Sequence, residues 1–183
     1  MIDLILLTAG LLNINDQVLM EEVQGKPMYR HSFETVRQTA DAMLGLRVIV
    51  VTRSGALEEA VREFGFNKVV VPEHCSLSQA IIAGAKAARP GASRCFLPCN
   101  QLWVSGEMLI GFLQGYILSG RSLGRASKQD QSKGPMVFAP YLLPSLMTLK
   151  GDEDGSALFQ GREARTFDYS LPEERKDVAA EEK

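Results

Sequence analysis

The chain has few cysteines, and none of them has the spacing that commonly holds a metal. Its 183 residues include Cys75, Cys95 and Cys99, an odd number with no C-x-x-C pair. The sequence therefore indicates neither a disulfide framework nor a zinc site. Cys95 and Cys99 fall on one face of an apolar strand, which favours buried packing over ligation. This cysteine usage predicts a reducing, cytoplasmic setting.

Long apolar runs and an excess of positive charge are also missing. The formal net charge of -2 argues against nucleic acid as a partner, because domains that bind it usually carry a basic stripe. The apolar stretch "LILLTAGLL" has no positive residue before it and no small-x-small cleavage site. It is also far shorter than the ~20 residues that span a bilayer. We expect a buried strand here, with no membrane partner.

What the sequence does contain is a regular alternation of strands and helices. β-Branched or apolar runs at 2–8, 46–53, 67–72 and 94–100 alternate with helical patterns at 27–43, 56–66, 76–88 and 105–120. This order predicts a three-layer α/β, Rossmann-like fold with a mostly parallel sheet and right-handed crossovers. A further strand, a short helix and a last strand complete one domain over 1–183, whose end at 173–183 is expected to fray.

One polar segment interrupts the alternation. Residues 121–133 carry Arg121, Arg125, Lys128 and Lys133 against a single acid, Asp130. The segment is predicted to be a solvated loop or a hairpin arm that leads into the next strand. In doubly wound sheets, ligands bind outside the carboxyl ends of the strands. The segments expected at the site are therefore 8–25, 72–78, 98–102 and 168–172.

The start of the chain resembles a known phosphate-binding signature at both ends. "LTAG" at 7–10 and "GKP" at 25–27 match the beginning and end of the pattern L-A-A-G-x-S-x-R-M-G-x-x-K followed by G-K-P. This is the signature of the molybdenum-cofactor nucleotidyltransferases, and the chain most closely resembles the cytidylyltransferase branch of the MobA-like NTP transferases. The cationic middle of the signature is not matched. Residues 1–25 contain four acids and no basic residue.

Later segments match the same family in the same order. "CSLSQAIIAG" is similar to its G-M-S-S-S-L-x-x-G helix start, through Ser78 and Gly84, and "CNQLWVS" is similar to D-Q-P-x-V-S. "KGPMVFAP" with "LKGDEDGSALF" is similar to G-x-P-V-x-F and L-x-G-D-x-G-x-R-x-L-L, and "DYSLPEE" to D-I-D-T-P-E-D. The resemblance covers nearly the whole chain. It implies the nucleotide-diphospho-sugar transferase type of fold.

The resemblance also implies a division of roles among residues. Thr8, Ala9, Gly10, Ser78 and Gln101 would contact the nucleotide, CTP or GTP. The acceptor side, which takes a molybdopterin-like molecule, would include Gly134, Pro135 and Asp152. The metal positions, which hold Mg²⁺ in the family, correspond to Asn100 and Ser170, with Asp168 nearby. Asn is neutral and Ser is a weaker ligand still, so the metal site is predicted to be vestigial.

Several alternatives follow from these replacements. The chain is either a nucleotidyltransferase with impaired activity or a non-catalytic homologue that acts as a scaffold for a cofactor or a partner metalloenzyme. A third alternative is changed chemistry, with a neutral or cationic ligand beside the now acidic loop. A homodimer is also left open. Of three further candidates, His74 at the predicted rim is a more plausible ligand residue than His31, and core packing is favoured over base stacking for Trp103.

Overall fold

The computed structural model describes residues 1–53, 55–128 and 134–171. The strands are β1 (Ile2–Leu7), β2 (Glu22–Val23), β3 (Lys26–Pro27), β4 (Arg47–Thr52), β5 (Asn67–Val70), β6 (Ser93–Pro98), β7 (Leu123–Ser127), β8 (Met136–Phe138) and β9 (Thr166–Ser170). The helices are α1 (Asp16–Met20), α2 (Met28–Ala42), α3 (Glu58–Glu63), α4 (Leu77–Ala87), α5 (Gly106–Ser119) and α6 (Leu143–Leu146). Three 3₁₀ turns follow β8, at Pro140–Leu142, Ser156–Phe159 and Glu163–Arg165.

Seven of the described strands form one mostly parallel sheet in the order β5-β4-β1-β6-β8-β7-β9. Only β8 runs antiparallel to its neighbours in this sheet, β6 and β7. β1 lies at the centre, where Leu4 faces Val48 of β4 and Cys95 of β6. β2 and β3 form a separate antiparallel ribbon. The predicted α/β class with a mostly parallel sheet is confirmed.

The core has two halves, one on each face of the sheet. In β1, Leu4 and Leu6 point into one half, while Ile5 and Leu7 point into the other, and all four are fully or almost fully buried. A strand buried on both faces reads as a continuous apolar run, which is why β1 could be predicted from its sequence. Helices α2, α3 and α5 cover the first face, and α4 and α6 cover the second.

The expected right-handed crossovers fail at α5. The connection through α4 moves along the sheet from β5 to β6 and packs on the second face, whereas α5 continues in the same direction to β7 but packs on the first face, beside α2. Two parallel crossovers in one direction on opposite faces must have opposite hands. The second face near the end of β6 is therefore covered by α4 and by the segment after β8.

The segment at 121–133 is not simply a solvated loop. Leu123–Ser127 is β7, which pairs antiparallel with β8 and parallel with β9. Leu123 and Ala126 are buried on opposite faces of the sheet, while Arg125 stays exposed. The strand was hard to recognise from the sequence because the stretch contains a glycine and short side chains, and Leu123 is its only large apolar residue. Of the basic residues assigned to the arm, Lys133 lies outside the described residues, as do Pro172, Glu173 and the tail at 173–183.

A buried ion pair lies at the amino-terminal end of β1. The carboxylate of Asp3 is fully buried and accepts hydrogen bonds from the Arg89 backbone N–H, at 2.6 Å, and from Arg89 Nε, at 2.7 Å. Arg89 also donates to the carbonyls of Ile2 and Gly45. Arg94 lies nearby and is itself buried. Burial lowers the pKa of its guanidinium below the usual value, and the charge of Asp3 offsets only part of this shift. Asp3 and Arg89 thus join β1 to the segment between α4 and β6.

Candidate functional site

A cavity of about 520 Å³ opens at the carboxyl ends of β1 and β6. Its position agrees with the rule that ligands of such sheets bind beyond the carboxyl ends of the strands. Most of its wall is apolar, and the polar part consists of Asn100, Gln101, Asp152 and Asp154. The apolar wall includes Leu7, Leu11, Leu77, Ile81, Trp103 and Met136. The size and the mixture of walls suit a small-molecule site.

The loop after β1 forms one side of this site. Thr8 continues the ladder to β4, because both its backbone N–H and its Oγ1 donate to the Val51 carbonyl, at 3.0 and 2.9 Å. Ala9 is fully buried. Gly10 has a φ of +75°, and a Cβ on it would lie 2.7 Å from the Ser76 carbonyl oxygen. Only glycine meets both requirements, so the loop packs directly on the start of α4.

The start of α4 is held by a capping box. Ser76 Oγ accepts from the Gln79 N–H, and Gln79 Oε1 accepts from the Ser76 N–H at 2.8 Å. Ser78 is buried, with its Oγ 3.0 Å from Ser76 Oγ and its N–H donating to the Gly151 carbonyl. The last bond ties α4 to the turn that carries Asp152. Two walls of the cavity are therefore fixed to each other.

The segment after β6 supplies the amide groups. Asn100 is exposed and Gln101 is partly buried, and both line the cavity. Gln101 is held in a turn, since its N–H donates to the Pro98 carbonyl and its carbonyl accepts from Val104. Ser105 then caps α5, as its Oγ accepts from the Met108 N–H. Asn100, which the resemblance predicts to be a metal position, thus lies at the cavity.

The predicted acceptor side lies across the cavity. Gly134 and Asp152 line it, whereas Pro135 is buried and its carbonyl accepts from the Ala126 N–H. A Cβ on Gly134 would lie 2.1 Å from the Ala126 carbonyl oxygen and 2.9 Å from the Trp103 ring. The missing side chain is therefore what lets β7, the entry to β8 and the indole come together.

Asp154 is a second carboxylate that sequence reasoning missed. It lines the cavity with Asp152, and its Oδ1 accepts from the Ser156 N–H at 2.9 Å. The signal was present in the turn "GDEDG", where residues two positions apart can face the same side. Because only Asp152 occupies a motif position of the family, the resemblance drew attention away from its neighbour.

Ser170 and Asp168 are not among the cavity-lining residues. Both belong to β9, which is separated from β6 by β8 and β7, and Ser170 pairs with Ser127. Asp168 Oδ1 lies 2.5 Å from Arg125 Nε, and both side chains are about half exposed. Within residues 1–53, 55–128 and 134–171, no three His, Cys, Asp or Glu side chains are close enough to hold a metal ion together. Asn100 and Ser170 do not fit a shared Mg²⁺ site, because Asn100 lines the cavity and Ser170 lies three strands away on β9.

Arg53, the residue that follows β4, lies beside the first loop. Arg53 donates to the carbonyls of Ile14 and Glu73, at 3.1 and 3.0 Å, and its Nη1 lies 3.6 Å from Asp16 Oδ1. Its guanidinium thus holds the loop to the segment after β5. Among the described residues, no Lys, Arg or His lines the cavity. The charged residues of the described lining are Asp152 and Asp154.

The two histidines and the tryptophan lie in different settings. His31 Nε2 lies 2.5 Å from the Val23 carbonyl oxygen, so it connects α2 to β2. His74 is exposed and is not among the cavity-lining residues. Trp103 is partly buried, packs against the core and also lines the cavity. It combines the packing role favoured from the sequence with a position that can contact a ligand.

Native thiol chemistry should be confined to Cys75. Burial raises the pKa of Cys99 to about 12 and raises the pKa of Cys95 above its usual range, and both side chains are fully buried. Cys75 is partly exposed; burial raises its pKa, which Arg53 partly offsets. Because the thiolate is the nucleophile, its labelling by an aromatic disulfide should be slow at pH 7 and accelerate as pH rises towards the raised pKa.

The check is a thiol titration with and without denaturant. We expect one of the three thiols to react in the folded protein, all three in guanidinium chloride, and none in folded Cys75→Ser. Modification of Cys95 or Cys99 in the folded protein, located by peptide mass mapping, would contradict the burial described here.

This sheet order, with a lone antiparallel strand and a cleft beyond β1 and β6, defines a nucleotidyltransferase-type α/β domain. The profile of the MobA-like NTP transferase domain matches residues 18–167, most of the chain. The chain belongs to this family. The suspected family is thus confirmed. A search of curated protein sequences finds no match.

Solved structures support the same fold. Rv0371c from Mycobacterium tuberculosis H37Rv is 18% identical, with a TM-score of 0.71 over 93% of this chain and 87% of that chain. Its complex with manganese is 17% identical, with a TM-score of 0.67 over 93% and 88%. The CMP:2-keto-3-deoxy-manno-octonic acid synthetase complexed with CTP is 14% identical, with a TM-score of 0.62 over 93% and 90%. In the part of this chain that the structure describes, no helix is long and apolar enough to cross a membrane.

Proposed function

We propose that this protein is a MobA-like domain of the molybdenum cofactor cytidylyltransferase type in which nucleotidyl transfer is impaired. The ancestral reaction moves CMP, or GMP, from CTP or GTP to a molybdopterin-like acceptor. The observation that carries the proposal is the polar wall of the cavity, with two carboxylates, two amides and, among the described residues, no basic group.

The electrostatic cost of a triphosphate in this cleft is substantial. Two unit charges 8 Å apart interact by about 2 kcal/mol at an effective dielectric constant near 20. The exposed carboxylate of Asp152 would repel several phosphate charges, whereas a transferase needs attraction at that place. Solvent screening lowers this penalty, because Asp152 is exposed, but does not change its sign.

In this proposal the remaining contacts to a nucleotide are neutral. The Gln101 side chain would contact it, while Thr8, Ala9, Gly10 and Ser78, which are not among the cavity-lining residues, would act through the packing of the loop on α4. Gly134, Pro135 and Asp152 would shape the acceptor side. Asn100 offers one amide oxygen at the vestigial metal position, and Ser170 lies on β9. No catalytic step is assigned to a metal ion here, because these residues do not fit one.

A second candidate is a non-catalytic homologue that binds a cofactor or a partner metalloenzyme. The apolar rim of the cleft favours it: Leu102 lines the cavity and is 41% exposed, and Leu12, next to the lining residue Leu11, is 87% exposed. Exposed apolar side chains beside a pocket are typical of contact surfaces. The partner could equally be a second copy of the chain. A soluble, cytoplasmic protein fits both candidates.

Calorimetric titration of the protein with CTP and GTP, each with and without Mg²⁺, tests the proposal. We expect no saturation at submillimolar nucleotide and no effect of Mg²⁺. Micromolar binding that depends on Mg²⁺ would overturn the proposed impairment. Weak binding unaffected by Mg²⁺ would support an impaired enzyme over a scaffold, and complete absence of binding at millimolar nucleotide would favour the scaffold.

A companion prediction concerns the vestigial metal positions. Asn100→Asp should raise the affinity for Mg²⁺ about tenfold or more, because it adds to the cavity wall a carboxylate that a hard cation prefers, whereas Ser170→Asp on β9, outside the cavity lining, should change the affinity less than about twofold. Titration with Mn²⁺ as a paramagnetic probe, in competition with Mg²⁺, measures the change. Asn13→Asp, at an exposed loop position that is not among the cavity-lining residues, is the charge control. If Asn100→Asp binds Mg²⁺ no better than this control, Asn100 does not lie at a metal position.

A further inference from the structure

Arg53 is a mostly buried cation that is not among the cavity-lining residues. Its side chain is 14% exposed, and its Nη1 lies 3.6 Å from Asp16 Oδ1. Its Nη2 donates to the Ile14 carbonyl at 3.1 Å, and its Nε donates to the Glu73 carbonyl at 3.0 Å. A guanidinium is planar and has five N–H donors, so one side chain can bind acceptors on two segments at once.

The two segments that Arg53 joins both lead to a wall of the cavity. The first is the loop between β1 and α1, residues 8–15, in which Leu11 lines the cavity. The second covers residues 72–76 and continues directly into α4, whose first residue, Leu77, also lines the cavity. The position of Leu11 relative to Leu77 therefore depends on how these segments are held together.

Gly10 and Arg53 hold the segments together at different points. Near β1, Gly10 packs so closely on Ser76 that a Cβ would lie 2.7 Å from the Ser76 carbonyl oxygen. Further along the loop, the Ile14 N–H donates to the Leu11 carbonyl and forms a turn. Arg53 binds the carbonyl of Ile14 itself. The guanidinium thus holds the far side of the turn that presents Leu11.

The charge of Arg53 complements this part of the chain. Residues 1–25 contain four acids, Asp16 among them, and no basic residue. A loop that binds a phosphate is commonly ordered by the ligand, through backbone N–H groups that point at the anion. Here a backbone carbonyl of the loop is bonded to a cation of the same chain. This contact orders the loop without a ligand.

We propose that Arg53 is the positioning residue of the cavity. It holds the first loop and the segment after β5 in one arrangement, and so fixes the two walls that carry Leu11 and Leu77. The cavity is preformed, and a ligand does not have to supply the free energy that orders the loop. This inference goes beyond the proposed function, since it holds whether or not the cleft binds a nucleotide.

Hydrogen exchange of the ligand-free protein, followed by mass spectrometry, tests this role. Arg53→Met removes the guanidinium and keeps an apolar stem. We expect peptides that cover residues 8–20 and 71–77 to exchange about tenfold faster, because hydrogen bonds local to them, such as those of the Ile14 and Cys75 N–H groups, open more often. Peptides from β6 and α5 should stay within about twofold of the parent.

Two further measurements separate positioning from overall stability. Trp103 is the single tryptophan of the chain and lines the cavity together with Leu11, so quenching of its fluorescence by acrylamide should increase in Arg53→Met. Arg53→Lys should exchange at rates between those of the parent and of Arg53→Met. Its ammonium keeps the charge but lacks the planar fork that reaches both carbonyls. This variant serves if Arg53→Met does not fold.

Arg37→Met is the matched control, since it removes an exposed arginine of α2 that pairs with Asp41, and it should change neither the exchange nor the quenching. Unchanged exchange or unchanged quenching in Arg53→Met would overturn the inference. A uniform increase that includes β6 and α5 would also overturn it, as would an Arg53→Lys protein that matches the parent. Because no nucleotide is present, none of these outcomes bears on the proposed impairment, which the CTP titration tests.

Discussion

Replacing Arg89 with methionine is expected to lower the free energy of unfolding by about 3 kcal/mol. The carboxylate of Asp3 is completely buried, and Arg89 Nε donates to its Oδ1 at 2.7 Å. Removing one partner of a buried pair leaves an uncompensated charge, which typically costs about 3 to 5 kcal/mol. The lower value is expected because the Arg89 side chain is 30% exposed and its backbone N–H still donates to Asp3. Urea unfolding monitored by circular dichroism measures the loss.

A second substitution separates charge from packing in this experiment. If the unpaired carboxylate causes the loss, Asp3→Asn combined with Arg89→Met should be more stable than Arg89→Met alone, but by no more than about 1 kcal/mol, because Asp3 also offsets the charge of the buried Arg94. Arg37→Met, which removes an exposed ion pair with Asp41, should cost less than about 1 kcal/mol. A double variant that is less stable than the single variant would contradict the proposed role of the Asp3 charge.

The central part of the fold could be predicted because its residues form clear local patterns of burial and of helix capping. Ile5 and Leu7 face α4 while Leu4 and Leu6 face the other half of the core, so the run reads as a strand covered on both sides. Ser76 with Gln79 forms a capping box, and Ser105 caps α5, so two helix starts were visible as local patterns.

The parts that could not be predicted depend on choices between distant elements. The opposite hand of the α5 crossover follows from packing against α2, and no local pattern in α5 specifies which face it covers. β7 is a strand because β8 and β9 flank it, although Gly124 and Ser127 have low strand preference. The structure of such elements is determined by neighbours that are far away in sequence.

The candidate site was likewise predicted only in part from the sequence. Asn100 and Asp152 could be placed because they occupy motif positions, and both line the cavity. The position of Asp154 could not be predicted, because it depends on how its turn is oriented. The contacts of Arg53 to Ile14 and Asp16 could not be predicted either, because they depend on which strand lies beside β1. The predicted absence of cations from the first loop is therefore accompanied by two carboxylates, Asp152 and Asp154, in the described lining of the cavity.

Replacing Asp152 with lysine is expected to raise the affinity for CTP by about tenfold or more. The substitution changes the charge at the cavity wall by two units, and each unit is worth about 2 kcal/mol for a phosphate charge 8 Å away at an effective dielectric constant near 20. Screening at an exposed position reduces this, which is why the expected gain is nearer to about 1.4 kcal/mol, or tenfold. Calorimetric titration with CTP at low salt measures the change.

Asp41→Lys makes the same change of charge at the exposed end of α2, which does not line the cavity, and should leave CTP affinity within about twofold of the parent. The gain at Asp152 should also fall as salt is raised, because its origin is a charge in contact with solvent. If Asp152→Lys leaves CTP binding as weak as in the parent, then negative charge is not what excludes the nucleotide. The close packing of Gly10 against Ser76 would become the explanation, since it leaves the loop no freedom to open around a phosphate.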